Sequence, residues 1–250
     1  SDQDNGSGGP SIKIQNWPVF GMFMPDSIAV YTTTTGTYYI TANEGDSSDL
    51  YGDAKVIGSL NLDSGVFPNA AALKDKASLG RLKASAVDGD LDRDGDLDRL
   101  YVYGGRSFSI WDANGNLVYD SGQQFEQLTA ALTPNLFNAN DGDPKKVDQR
   151  SDDKGPEPEG VTVGVIDGRP YAFVGLERAG GGVMVYEVSN PRQPQFVQYI
   201  RSDKDISPEG LKFVPAAKSP IGVPLLIVTN EVSETTTVYA LYGKRVHLPV

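Results

Sequence analysis

The chain has 250 residues, with 33 Asp or Glu against 22 Lys or Arg and a formal net charge of −11, which argues against a nucleic-acid backbone or an anionic membrane surface as its main partner. Hydrophobic residues make up 39%, enough for a packed core. The absence of cysteine excludes disulfides, thiolate zinc sites and cysteine nucleophiles, and no apolar run approaches the roughly 20 residues of a membrane-spanning helix. Along the chain, residues 1–10 have the composition of an interior linker and lack a signal-peptide pattern. Residues 1–24 are therefore expected to be a linker and the last strand of a preceding unit. Runs rich in Val, Ile, Tyr, Phe and Thr, punctuated by Gly, Pro, Asn and Asp, predict strands at 27–31, 38–42, 100–103, 108–111, 117–119, 161–166, 172–176, 183–188, 196–200, 211–214, 225–229 and 237–241. Helix signals are confined to 69–76 and 123–132. The stretch Asp112-Ala113-Asn114-Gly115-Asn116 between two strands is a hairpin turn. The single histidine, His247, is expected at the surface of the terminal segment, with no Ser-His-Asp triad to join.

The chain repeats itself. Pro25-Asp26-Ser27-Ile28, Pro158-Glu159-Gly160-Val161 and Pro208-Glu209-Gly210-Leu211 each open a strand, and each is followed by a second strand ending near Glu44, Glu177 or Glu231. Acid and Glu are 18 residues apart in the first two copies and 22 in the third, where 216–222 looks like a hairpin insertion. Units of this kind, built from three or four short strands, suggest an all-β fold and specifically a β-propeller. About four blades are expected, near 25–66, 79–121, 158–200 and 208–242, as part of a larger ring. A β-sandwich is the alternative, but it would not explain the repeated spacing.

The sharpest chemical motif is Asp90-Leu91-Asp92-Arg93-Asp94-Gly95-Asp96-Leu97-Asp98. A hard cation such as Ca²⁺ takes six to eight oxygens, and alternate carboxylates with a glycine at the sixth position can supply them from one tight loop. Asp90, Asp92, Asp94 and Asp98 are expected to give side-chain oxygens and Asp96 its carbonyl. An EF-hand would close with Glu at position twelve, where this chain has Tyr101. A solvated acidic turn would instead leave these carboxylates repelling one another.

The repeated acids Asp26, Glu44, Glu159, Glu177, Glu209 and Glu231 would converge on a propeller axis as a channel cluster holding metal or shared protons, or would serve as turn and strand-end chemistry alone. The stretch 150–160 mixes charges of both signs. Arg150, Lys154 and Arg178, with Arg106, could hold a phosphate next to a metal, or form a salt-bridged surface loop. Gly180-Gly181-Gly182 is followed by a predicted strand, not by the helix a nucleotide loop requires.

Several segments taken together resemble the choice-of-anchor I family: Ala42-Asn43-Glu44-Gly45-Asp46, Phe67-Pro68-Asn69-Ala70-Ala71, Leu79-Gly80-Arg81-Leu82, 106–112, 150–160 and Gly175-Leu176-Glu177-Arg178. The resemblance implies a secreted or surface-anchored microbial propeller, with relatives often labelled alkaline phosphatase or mesenchyme-specific cell-surface glycoprotein. It also implies a family domain about twice this length, of which this chain would be the C-terminal half. Two functions follow as expectations. One is a calcium-stabilised extracellular propeller that binds or scaffolds a cell-surface ligand. The other is a calcium-dependent phosphatase or phosphodiesterase acting on a phosphate ester, with Glu159, Glu177, Arg178, Arg150 and Lys154 as catalytic candidates. The expected partners are the remaining blades, from the same precursor or from another chain.

Overall fold

The structure, a computed structural model, describes residues 12–47 and 52–242 and the backbone of Arg245 and Val246; His247 lies outside the described residues. Three four-stranded antiparallel sheets carry the fold. The chain runs β1 (Phe20–Met22), β2 (Ser27–Thr33), β3 (Gly36–Asn43), β4 (Ala54–Val56), β5 (Lys83–Ser85), β6 (Tyr101–Tyr103), β7 (Ser107–Asp112) and β8 (Leu117–Asp120). It continues through β9 (Pro158–Ile166), β10 (Arg169–Leu176), β11 (Gly182–Glu187), β12 (Gln195–Ile200), β13 (Pro208–Val214), β14 (Leu225–Asn230), β15 (Thr235–Tyr242) and β16 (Arg245–Val246). Helices α1 (Ala70–Leu73) and α2 (Gln124–Leu132) fall inside the two predicted helical stretches. The hairpin at 112–116 forms as expected, with Asp112 Oδ1 accepting from the amides of Asn114 at 2.8 Å and Asn116 at 2.9 Å.

The second and third sheets are simple meanders, β9 to β12 and β13 to β16. The first is not: its order is β2-β3-β7-β8, so residues 44–106 leave after β3 and return at β7. The stretches expected as separate blades at 25–66 and 79–121 therefore supply one sheet between them. The predicted strand at 100–103 also has a different partner. As β6 it runs parallel to β1, pairing Tyr101 with Phe20 and Tyr103 with Met22, and the strand at 108–111 pairs with β3. Periodicity identifies a strand but not its neighbour. Here the apolar face of β3 is completed by β7, with Ile40 opposite Ile110 and Ala42 opposite Phe108.

The sheets stack face to face. Ile40, Phe108 and Ile110 of the first sheet meet Val174, Met184 and Tyr186 of the second in one core. The Phe108 and Tyr186 ring centroids are 4.8 Å apart, and full burial of a side chain such as Phe108 contributes ~1.5–3 kcal/mol. On the other face of the second sheet, Phe173 stacks on Phe213 at 6.1 Å. Close approach there needs glycine, because a Cβ on Gly164 would lie 2.2 Å from the Phe213 ring. The middle sheet is covered on both sides, and seven of the eight residues of β10 are buried. In β2, by contrast, Ile28 and Val30 are 65% and 60% exposed. The excursion 44–106 packs its own smaller core around Ile57, Leu79, Leu82, Leu97 and Leu100.

Candidate functional site

The Pro-acid repeat has a backbone signature. Met24, Glu157 and Ser207, each directly before the proline, have positive φ of 41°, 51° and 62°. The position before proline normally favours extended backbone, so the same strained turn is built three times. It ties to the end of the next strand in each sheet: Glu177 N donates to Glu157 O at 2.9 Å, Glu231 N to Ser207 O at 2.8 Å, and Gly45 N to Met24 O at 3.2 Å. Stacking β2 on β9 then brings the acidic ends of the first two repeats together. Asp26, Glu44 and Glu159 each offer an oxygen within 4.8 Å of the others, as do Glu44, Glu157 and Glu177. Glu209 and Glu231 are exposed and join no such group among the described residues. The expected ring of six acids is thus four, drawn from two sheets.

Sequence reasoning did not single out Glu157, the residue at the centre of this cluster. Its side chain is 1% exposed, and all three candidate cations grip it. Arg150 Nε lies 2.6 Å from Oε1, Lys154 Nζ 3.3 Å from Oε2 and Arg178 Nε 3.5 Å from Oε2. Each cation holds another carboxylate too: Arg150 reaches Asp153 at 3.1 Å, Arg178 reaches Glu177 at 2.9 Å and Asp141 at 3.0 Å, and Lys154 pairs with Glu44. The signal that could have found Glu157 is its place directly before the proline of a repeat. Arg106 belongs elsewhere: it pairs with Glu126 at 3.0 Å and donates to the carbonyls of Ser151 and Asp153 at 2.7 and 2.8 Å.

Carboxylates outnumber cations here, and their titration shows it. Burial pushes the Glu159 carboxyl up to about 9, helped by the nearby Glu44 charge and a hydrogen bond with Asp26. Burial takes Glu177 to about 7 against the pull of Arg178, and raises Glu44 despite its bond to Lys154. Burial opposes the charge on Lys154, but Glu157 and Glu44 more than offset it and its pKa rises. At neutral pH Glu159 therefore keeps its proton, and Lys154 is a charged clasp rather than a free amine.

The Asp90–Asp98 loop sits on the excursion. Asp90, Asp92 and Asp94 bring oxygens within 4.8 Å of one another. Backbone amides hold the loop in shape: Asp90 accepts from Arg93 N at 2.7 Å and Gly95 N at 3.2 Å, Asp92 from Asp94 N at 3.3 Å, and Asp94 from Asp96 N at 3.2 Å. Gly95 takes φ 103°, open to glycine and strained for other residues. Asp98 accepts from Leu91 N at 2.7 Å and closes the loop. Desolvation, with the charge of neighbouring acids such as Asp94, raises the Asp92 and Asp96 carboxyls above their ordinary values. Leu97 anchors the loop in the excursion core, bridging to Leu62 and bonding Asn61 O at 3.0 Å. The oxygen-only donor set and the crowding suit a hard divalent cation.

Two curated proteins are similar to this chain. Gigasin-3a from Magallana gigas is 32% identical over 200 residues, covering 71% of this chain and 70% of that protein. The mesenchyme-specific cell surface glycoprotein of Strongylocentrotus purpuratus is 28% identical over 213 residues, 70% of this chain but only 27% of that protein. The family model described as the choice-of-anchor I domain matches residues 1–191. The chain belongs to the choice-of-anchor I domain family.

Proposed function

We propose that this chain is a surface-associated or extracellular binding or scaffolding domain that takes up Ca²⁺ in the Asp90–Asp98 loop. The observation that carries the reading is the convergence of Asp90, Asp92 and Asp94 within 4.8 Å in a loop already fixed by its own amides. Asp98 and the Asp96 carbonyl would complete the oxygen set. The surface location is supported by family membership and by the printed name of the sea-urchin relative. No helix among the described residues is long and apolar enough to cross a membrane. In the same reading the stacked sheets are blades of a propeller. Support comes from the thrice-repeated strained turn and from the middle sheet, which is covered on both faces. Further blades, from the same precursor or a partner chain, would cover the exposed Ile28 and Val30 face.

A phosphoesterase role has less support, because Arg150, Lys154 and Arg178 are each engaged by carboxylates and offer a phosphate no free cation. Calorimetric titration of the chelator-treated protein tests the calcium reading. One Ca²⁺ per chain is expected, with binding lost or strongly weakened in Asp92→Asn. Absence of calcium binding at millimolar concentration overturns it. Hydrolysis of an aryl phosphate with and without Ca²⁺, in the native chain and in Glu159→Gln, would revive the enzyme reading if activity needed both.

A further inference from the structure

A cleft of about 410 Å³ opens where the segment before β1 meets the start of β7. None of Asp26, Glu44, Glu157, Glu159 and Glu177 lines it, and the function proposed above does not use it. We infer that this cleft binds a neutral, hydroxyl-rich ligand: one or two rings of a carbohydrate. Its volume falls in the range of small-ligand sites.

The lining is specific in kind. Trp17 offers an aromatic face, Gln15 and Asn16 offer amide donors and acceptors, and Arg106, Glu126 and Ser151 form a polar end. Arg106 is held at φ 55°, a strained conformation for a side-chain-bearing residue. Its guanidinium is fixed by the Ser151 and Asp153 carbonyls and by Glu126, which also accepts from Asn138 Nδ2 at 2.9 Å. The side chains of Arg106 and Glu126 are only 17% and 7% exposed and bond chiefly to each other and to the fold, so they form a rigid polar wall and leave direct contacts to Trp17, Gln15 and Asn16.

The charge balance selects the ligand class. The chain carries −11 overall, yet among the described residues Arg106 and Glu126 are the only charged side chains lining the cleft, and they neutralise each other at 3.0 Å. A phosphate would meet Glu126 and an amine would meet Arg106. A sugar presents neighbouring hydroxyls that donate and accept together, and its C–H face packs on an indole. Lys13 Nζ, 6.0 Å from the Trp17 ring, is an exposed residue on a flexible stem.

The test uses the whole chain carrying Trp111→Phe. The protein has two tryptophans, so its fluorescence then reports Trp17. Maltose, cellobiose and N,N′-diacetylchitobiose are titrated, with sialyllactose and glucosamine as charged comparators. At least one neutral disaccharide is expected to shift the emission and saturate. Calorimetry on the native chain should give the same affinity, falling about fivefold to tenfold in Trp17→Ala, as loss of a ring contact predicts, and also falling in Asn16→Ala. Arg106→Gln, which loosens the polar wall, should weaken binding; if it lowers the melting temperature, Trp17→Ala and Asn16→Ala decide. Retention on amylose, cellulose or chitin distinguishes a chain-bound sugar from a free one. No saturable binding by any of the three disaccharides, tighter binding of a charged comparator, or unchanged affinity in Trp17→Ala would overturn the inference.

Discussion

The Asp90–Asp98 loop and the Glu157 cluster are both dense in carboxylates, but the fold manages their charge in opposite ways. In the cluster Glu157 and Glu177 are buried between two sheets, Glu44 and Glu159 more partly so, with only Asp26 exposed, and the chain supplies its own cations: Arg150, Lys154 and Arg178 converge on a glutamate 1% exposed. In the loop the acids are exposed or half-buried, and their oxygens are directed by backbone amides. A buried anion has to be matched at folding, because desolvation leaves no other source of compensation. An anion at the surface can leave that role to a dissolved ion. The first arrangement is structural; the second would rely on an exchangeable ion, and each can be broken separately.

The largest effect is expected in the cluster. Glu157→Gln keeps the shape but leaves three half-buried cations short of a buried carboxylate, which should cost up to about 3–5 kcal/mol. Urea unfolding in EDTA at neutral pH measures it, and a loss below about 1 kcal/mol would show that the cations find other partners. In the same assay Asp92→Asn should be near neutral or slightly stabilising, since it relieves repulsion in a loop without its ion.

Calcium should narrow that gap. At a concentration one hundred times its dissociation constant, the ion stabilises the native chain by about 2.7 kcal/mol, a rise of several °C in melting temperature. Asp92→Asn should lose this gain, and Glu157→Gln should keep it. An equal calcium gain in Asp92→Asn would remove that residue from the site.

A smaller effect separates the regions by pH. The carboxyl of Glu159 is raised to about 9 in the fold, chiefly by burial, and would titrate near 4.3 in the unfolded chain. Its contribution to stability is complete below the unfolded value and is lost as pH rises towards 9. Glu177, raised to about 7, acts in the same direction over the lower part of that window. Stability in EDTA should therefore decline by a few °C from pH 5 to 9, and the decline should be shallower in Glu159→Gln, which is neutral throughout. A parallel decline in both proteins would assign it to other groups.

The sequence made twelve of the sixteen strands among the described residues, the hairpin at 112–116 and the alternating acids of the loop legible, because each is a local pattern of two to nine residues; the short β4 and β5 of the excursion were not. The excursion 44–106 was hidden. Nothing local in Ile40 and Ala42 tells that their partners are Ile110 and Phe108, more than sixty residues on, so one sheet looked like two. Glu157 was hidden for a related reason. It reads as one more acid in a mixed-charge stretch, and only the strained turn before Pro158 and the stacking of two sheets make it the hub.

The smallest expected effect sharpens the comparison most. Glu209 and Glu231 are the third repeat's counterparts of Glu159 and Glu177, on the same turn, with Glu231 N bonded to Ser207 O as Glu177 N is bonded to Glu157 O. Yet both are exposed, and Ser207 stands where the second repeat has Glu157. Glu209→Gln and Glu231→Gln should each change stability by less than about 0.5 kcal/mol, as surface substitutions do, and should leave the pH profile intact. If a further sheet docks on the third as the second docks on the first, the same substitutions made in the presence of that sheet should acquire a cost, because burial and not residue type makes the second repeat's acids costly to alter. A large effect in the isolated chain would mean that the third repeat is already covered, and the contrast between its acids and those of the second repeat would then need a different cause.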